Sequence, residues 1–255
     1  MNKITAAITG VQGYVPEHVL SNEDLTKIVD TSDEWITTRT GIKERRIMKN
    51  GASSDMAAEA VKSLLKKKNI DPLEIELVVL ASVTPDHLFP STANILCDKV
   101  GMTNAWGFDL LAACSGFLFA LTTASQFIEN GRYKKVLVVG VDKMSSIVDY
   151  TDRTTCIIFG DGAGAVILEK SEKGWIYSEL QANGSGTGMT GFKQPLNEPF
   201  IMNAKEVWQQ AVSVLPDSIN QVLLNTNTSI DEISMLVPHQ PSINILVSMV
   251  RCCTI

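Results

Sequence analysis

Ala105-Trp106-Gly107-Phe108-Asp109-Leu110-Leu111-Ala112-Ala113-Cys114-Ser115-Gly116-Phe117 reads as a β-strand, a turn of small residues and the opening of a helix. The strand is expected over 105–111, and the helix runs to about residue 130, where Gly131 stops it. A strand that passes into a helix is the local signature of an α/β fold. The flanking sequence repeats the pattern. Upstream, the spacing of Met56, Ala57, Ala60, Val61, Leu64 and Leu65 predicts an amphipathic helix over 52–69, closed by lysines. An apolar strand follows at 75–82, entered through Asp71-Pro72. A helix over 91–100 has Ser91 as its N-cap and Gly101 as its stop. Downstream, Lys135-Val136-Leu137-Val138-Val139-Gly140-Val141 is the kind of run that a central strand buries on both faces. Segments 155–159 and 163–168 are expected as a strand pair around Gly160-Asp161-Gly162.

Beyond residue 170 the pattern thins. Segment 178–199 is rich in Gly, Asn, Thr and Pro and predicts loop. A helix is expected over 204–224, with Pro216 kinking it or starting a second one. A short strand at 235–238 and a helix beginning over 243–250 complete the pattern. Ile70-Asp71-Pro72-Leu73-Glu74-Ile75-Glu76-Leu77-Val78-Val79 resembles Ile230-Asp231-Glu232-Ile233-Ser234-Met235-Leu236-Val237 in order and type. Each follows a helix and precedes a strand, a loop and another helix. This echo points to a duplicated α/β unit, with halves at 1–170 and 171–255. Far fewer residues follow the second copy than the first, so the second half is expected to be incomplete.

The 255 residues are 45% hydrophobic and 20% charged, which is enough apolar material for a packed core. A net charge of -6 and a pI near 5.1 argue against a nucleic-acid partner, which needs a basic face. No apolar run approaches the roughly 20 residues that span a bilayer, and the N-terminus lacks the apolar core of a signal peptide. The expectation is a cytoplasmic protein with no membrane partner. Five cysteines (97, 114, 156, 252 and 253) form no C-x-x-C pair and have no His partner at metal-ligand spacing, so reduced thiols and no metal are expected.

Cys114 stands apart because it lies between a strand and a helix start. There the helix dipole and free N–H groups favour a thiolate, which lowers the thiol pKa and raises nucleophilicity. The small neighbours Ala112, Ala113, Ser115 and Gly116 admit a substrate; equally, they let the helix pack close to the sheet. Both readings stand at this point. A cysteine nucleophile commonly works with a histidine, and the chain offers His18, His87 and His239. The first two fall in turns. His239 follows the strand expected at 235–238, at the kind of strand end where open α/β sheets place their sites.

Several stretches resemble β-ketoacyl-ACP synthase III, a thiolase-superfamily condensing enzyme. They are 30–42 (DTSDEWITTRTGI), Phe89-Pro90-Ser91, Ala112-Ala113-Cys114-Ser115-Gly116-Phe117, Thr151-Asp152-Arg153, Ile158-Phe159-Gly160-Asp161-Gly162-Ala163-Gly164-Ala165 and Val237-Pro238-His239-Gln240. They occur in the family's order from residue 4 to about 245. The resemblance implies a thiolase-like layered αβαβα fold. It implies an acyltransferase that condenses an acyl-CoA primer with malonyl-acyl carrier protein to begin fatty acid synthesis, with no permanently bound cofactor. Cys114 would carry the acyl group and His239 would hold the thioester oxygen as charge develops there. Thr31, Trp35, Arg39, Arg153 and Trp208 fall at CoA-contacting positions. Phe89 from a partner subunit, Met144 and Phe159 would line the primer pocket, which implies a homodimer.

Some positions depart from the family. Pro241-Ser242 replaces a usual Ala-Asn, and Thr154 replaces a glycine. The family's Gly-Asn-Thr segment and Gly-rich loop, expected beyond His239, are not among the 255 residues, and Arg251-Cys252-Cys253-Thr254-Ile255 breaks the expected amphipathic helix. A truncated product that at most binds acyl-CoA or dimerises is therefore the second reading, beside a related thiolase-fold acyltransferase. Gly160-x-Gly162-x-Gly164 leads into a strand instead of a helix, which argues against a phosphate-binding turn. Val83-Thr84-Pro85 stands where hydroxymethylglutaryl-CoA synthase needs a glutamate. Cys252 and Cys253 follow His239 too closely to be the second cysteine of a degradative thiolase.

Overall fold

The computed structural model describes residues 5–173, 176–186, 188–191 and 200–252. In chain order the elements are β1 (Thr5–Tyr14), β2 (Val19–Ser21), α1 (Asn22–Leu25), α2 (Asp33–Thr40), β3 (Glu44–Arg46), α3 (Ser53–Lys68), β4 (Leu77–Ala81) and α4 (Thr92–Val100). They continue with β5 (Trp106–Leu110), α5 (Gly116–Glu129), β6 (Lys135–Lys143), β7 (Asp161–Ser171), β8 (Thr190–Gly191), β9 (Ile201–Met202), α6 (Ala204–Thr226) and α7 (Ile243–Cys252). Two compact units result. One gathers 1–19, 46–146 and 160–176, the other 20–45, 147–159 and 177–255.

The first unit is built on a five-stranded sheet of order β1-β7-β6-β4-β5. β4 runs parallel to both β5 and β6, whereas β7 is antiparallel to β6 and to β1. The strand period of two decides the layers. Val78 and Leu80 of β4, with Leu137, Val139 and Val141 of β6, pack against Met56, Ala60, Val61 and Leu64 of α3 and Leu96 of α4. The alternate residues Leu77, Val79, Ala81, Val136 and Val138 pack against Ala120, Ala124 and Ile128 of α5. Both faces of the central strands are thus dry, which is why their sequence is a continuous apolar run. Gly107 of β5 has no room for a side chain: a Cβ there would lie 2.9 Å from both the Val78 carbonyl oxygen and Ala93 Cβ.

In the second unit Leu25, Ile36, Cys156 and Ile157 form a small core, flanked by Trp35, Val148 and Tyr150. α2 ends at Gly41, whose φ of 77° is left-handed. A Cβ there would also meet Ile243 Cβ at 3.2 Å, and Asn244 Nδ2 donates to Arg39 O at 3.0 Å, so α7 lies against the end of α2.

The helix ends before the two similar stretches share a local geometry, two residues out of the register that the sequence echo suggests from its first residues, Ile70 and Ile230. α3 ends on Asn69 in the left-handed conformation, and two residues later Asp71 caps a 3-10 turn over Pro72–Glu74 by a reciprocal bond with Glu74. α6 ends on Asn227 with the same conformation, and two residues later Ser229 caps Ile230–Glu232 by a reciprocal bond with Glu232. This register pairs Glu74 with Glu232 and Ile75 with Ile233.

Two expectations need correction, and one of two alternatives for a third is excluded. Segment 155–159 is turns, not strand. The Asp152 carboxylate accepts from Thr154 N (2.8 Å) and from Thr155 Oγ1 (2.8 Å), and Cys156 N donates to Asp152 O (3.1 Å), so the backbone winds locally instead of pairing. Segment 235–238 forms no strand either, because no ladder partner lies beside it among the described residues; Met235 and Val237 are exposed. Pro216 lies inside one helix, α6, and starts no second one. The loop expected at 178–199 lies partly outside the described residues, as does the end at 251–255; within the former, Thr190–Gly191 forms a strand with Ile201–Met202.

Candidate active site

The carboxyl ends of the three parallel strands β4, β5 and β6 present Ser82–Thr84, Ala112–Cys114 and Asp142. After β5 the chain makes a 3-10 turn, Ala113–Ser115, that runs straight into α5. Ala113 has φ 46°, a left-handed conformation in which a Cβ crowds the carbonyl oxygen, costing about 1–2 kcal/mol. That bend aims Cys114 outward. Cys114 is exposed, whereas Cys97 and Cys156 are buried. The small residues around it also serve packing, since a Cβ at Gly116 would sit 3.1 Å from Ala81 Cβ. The packing reading of this turn is therefore met at Gly116.

The expected fall in the Cys114 pKa is not what the surroundings produce. Although the residue is open to solvent, packing around the sulfur pushes the thiol upward, and the Asp142 carboxylate adds to this. A backbone N–H bond opposes them and is outweighed. Asp142 itself is pushed up by burial, while Val83 N donates to its Oδ1 at 2.8 Å and Ser82 Oγ at 3.2 Å. Sequence reasoning missed this acid. The signal was a carboxylate closing the apolar run of β6.

His18 and His87 lie exposed in loops, as expected. His239 is exposed too, in the segment without regular structure before α7, yet enough of its ring is covered to push its pKa below the ordinary value.

Among the sequence-predicted ligand positions, three side chains meet. The guanidinium carbons of Arg39 and Arg153 lie 4.5 and 4.7 Å from the centroid of the Trp35 indole, within cation–π range. Arg153 Nη1 also lies 3.5 Å from Asp30 Oδ2 at the surface. Thr31 Oγ1 is buried and finds no partner among the described residues. Trp208 is partly exposed on α6. Phe159 packs edge-on against Phe200, with centroids 5.3 Å apart. Met144 opens the 3-10 turn after β6, and Phe89 is exposed in the loop before α4. Among the described residues no cluster of His, Cys, Asp and Glu is placed to hold a metal, and no helix is long and apolar enough to cross a membrane.

Residues 108–184 match the family described as 3-oxoacyl-[acyl-carrier-protein (ACP)] synthase III. The chain is 45% identical to β-ketoacyl-[acyl-carrier-protein] synthase III 2 of Bacteroides thetaiotaomicron, over 96% of this chain and 78% of that protein. It is 46% identical to β-ketoacyl-[acyl-carrier-protein] synthase III of Clostridium acetobutylicum, over 94% of this chain and 78% of that protein. The crystal structure of 3-oxoacyl-[acyl-carrier-protein] synthase III from Aquifex aeolicus superposes with a TM-score of 0.94 at 40% identity, covering 98% of this chain and 81% of that one. The thiolase-like α/β fold expected from sequence is the fold of these proteins. By identity sustained across nearly its whole length, the chain belongs to the β-ketoacyl-acyl-carrier-protein synthase III family of acyltransferases.

Proposed function

We propose that Cys114 is the residue through which this condensing enzyme joins an acyl-CoA primer to malonyl-acyl carrier protein. The Cys114 sulfur attacks the acyl-CoA carbonyl, the thioester C–S bond breaks, and CoA leaves as its thiol with the cysteine's proton. Malonyl-acyl carrier protein then loses CO2, and the resulting enolate carbon attacks the acyl-Cys carbonyl. The β-ketoacyl product leaves on the carrier protein, and the Cys114 sulfur is released. His239 donates to the thioester oxygen on which charge gathers, the kind of contact worth about 10²–10³ in rate. The observation that carries this reading is the position of Cys114: an exposed thiol on a strained turn where strand ends converge, with Cys97 and Cys156 buried.

Trp35, Arg39 and Arg153 take the CoA nucleotide. An indole suits an adenine face and guanidinium forks suit phosphates, and the Thr31 hydroxyl, without a partner among the described residues, offers a further polar contact. Trp208 lies along the pantetheine arm, and Met144, Phe159 and Phe89 of the partner subunit line the primer pocket. The enzyme works in the cytoplasm as a homodimer of chains that each carry the α/β repeat at 1–170 and 171–255. Support for pairing comes from β5, a sheet-edge strand that begins at exposed Trp106 and is followed by exposed Leu111.

Radiolabelled acetyl-CoA tests the central step. Label is expected on Cys114 and lost in Cys114→Ala, and β-ketoacyl product should appear when malonyl-acyl carrier protein is added. Label on another residue would overturn the assignment. Label without product would leave a chain that acylates but does not condense. Trp35→Ala should weaken CoA binding by about 1–2 kcal/mol in calorimetry; equal affinities would move the nucleotide elsewhere.

A further inference from the structure

Asn22 and Arg45 are only 2% and 3% exposed, and the chemistry above uses neither. Asn22 Nδ2 donates to Asp33 Oδ1 at 2.7 Å and to Ile42 O at 2.8 Å, and reaches Thr37 Oγ1 at 3.3 Å. Its Oδ1 accepts from Arg45 Nη1. Arg45 in turn donates from Nε to Ile157 O at 3.0 Å and from Nη2 to the same oxygen. An unbroken chain of hydrogen bonds therefore runs from α2, through Asn22 and Arg45, into the segment 147–159.

The two ends of this chain are the ones whose side chains meet at the indole. Asp33 and Thr37 flank Trp35 on α2, which also carries Arg39. Ile157 closes the turns that carry Arg153. Burying a guanidinium against neutral oxygens is unfavourable, and an apolar side chain of similar volume would often fill such a space at less cost. What a buried fork supplies instead is geometry, because its planar donors hold two acceptors at a fixed separation and angle.

We propose that Asn22 and Arg45 are positioning residues: they fix the 147–159 segment against α2, and so set how tightly the Trp35–Arg39–Arg153 cluster holds the nucleotide of acyl-CoA. The proposal rests on the reading of that cluster as the CoA nucleotide site. Cation–π and stacking contacts are short-ranged, so a displacement of Arg153 by an ångström weakens them. Lysine at position 45 keeps the charge but cannot span Ile157 O and Asn22 Oδ1 with one planar group.

Calorimetric titration with CoA decides the matter, using the full chain as wild type, Trp35→Ala, Arg153→Ala, Arg45→Lys, Asn22→Ala and the double variant Arg45→Lys/Arg153→Ala. Arg45→Lys should bind CoA roughly tenfold more weakly, the equivalent of one charge-assisted hydrogen bond lost, and Asn22→Ala should follow it. The double variant should bind no more weakly than Arg153→Ala, because Arg45 acts through the segment that carries Arg153. Alkylation of Cys114 by iodoacetamide, which needs no CoA, should keep its wild-type rate in Arg45→Lys, and KM for the acyl-CoA should rise more than kcat falls. Wild-type CoA affinity in Arg45→Lys, or losses that multiply in the double variant, would overturn the positioning role while the nucleotide site stands. An unaltered affinity in Trp35→Ala would instead remove the nucleotide site, and the proposal with it. A general loosening of the fold would show as slower folding recovery and altered Cys114 alkylation in all variants alike, and would also overturn it.

Discussion

Asp161→Asn should destabilise the protein although it changes a single atom. The Asp161 carboxylate is 5% exposed and accepts three hydrogen bonds within one unit: Met48 N (2.7 Å) and Ser145 Oγ (2.7 Å) on Oδ2, and Ser145 N (2.8 Å) on Oδ1. It thereby fastens the start of β7 to the turn after β6 and to the chain leaving β3. An asparagine amide offers one oxygen and one NH2 group. Whichever way it turns, the NH2 faces a backbone N–H, and only the Ser145 hydroxyl can reverse to accept. One buried backbone donor is left unsatisfied, and the surviving bonds lose their charge assistance. Together these cost about 2–4 kcal/mol. For a chain of this size that is a melting-temperature drop of roughly 5–15 °C. Urea unfolding followed by circular dichroism measures it, and Asp161→Ala should cost more, since all three donors lose their acceptor. A change below about 0.5 kcal/mol in Asp161→Asn, the range of ordinary surface substitutions, would refute the accounting.

Three further outcomes can be measured. Brief iodoacetamide treatment should label Cys114 ahead of Cys97, whose burial pushes its thiol to about 11, and ahead of buried Cys156. Asp142→Asn removes a negative charge that disfavours the Cys114 thiolate, so the alkylation-versus-pH curve should move to lower pH; no movement, or movement upward, would show that the carboxylate does not act on the sulfur. Gly107→Ala should lower stability by about 1–3 kcal/mol in urea unfolding, because its Cβ would meet the Val78 carbonyl and Ala93, and a stability equal to wild type would mean β5 can shift away from α4.

How far the sequence revealed these features depends on the range of the interactions behind them. α3 and α4 fell within a residue of expectation because their apolar stripe and the caps at Ser91 and Gly101 are local. β4 and β6 were readable because burial on both faces leaves no polar alternation. Segment 155–159 misled because apolar residues there suggested a strand, whereas side-chain capture by Asp152 wound the backbone into turns. Segment 235–238 has the composition of a strand, but strand formation needs a neighbour that composition does not supply. The place of Cys114 was readable from strand passing into helix. The direction of its pKa was not, because burial and Asp142 reach it only through the folded sheet. Asn22 and Arg45 gave no signal at all, since their partners at Asp33, Ile42 and Ile157 are scattered along the chain.

The alternation of buried residues along β4 and β6 also sets a timescale. Amides at 77–81 and 136–139 are locked between two dry layers, so exchange with solvent deuterium requires opening the whole unit. Around Arg153, Thr151 and Thr154 make exposed hydrogen bonds to the Asp149 and Asp152 carboxylates, while Cys156 and Ile157 just behind them are buried. Cys114 thus grows from strands expected to exchange last, and the exposed amides at 151 and 154 are expected to exchange sooner. A deuterium-exchange map would then show the Cys114 thiol carried on a frame that is slower than the turn beside Arg153.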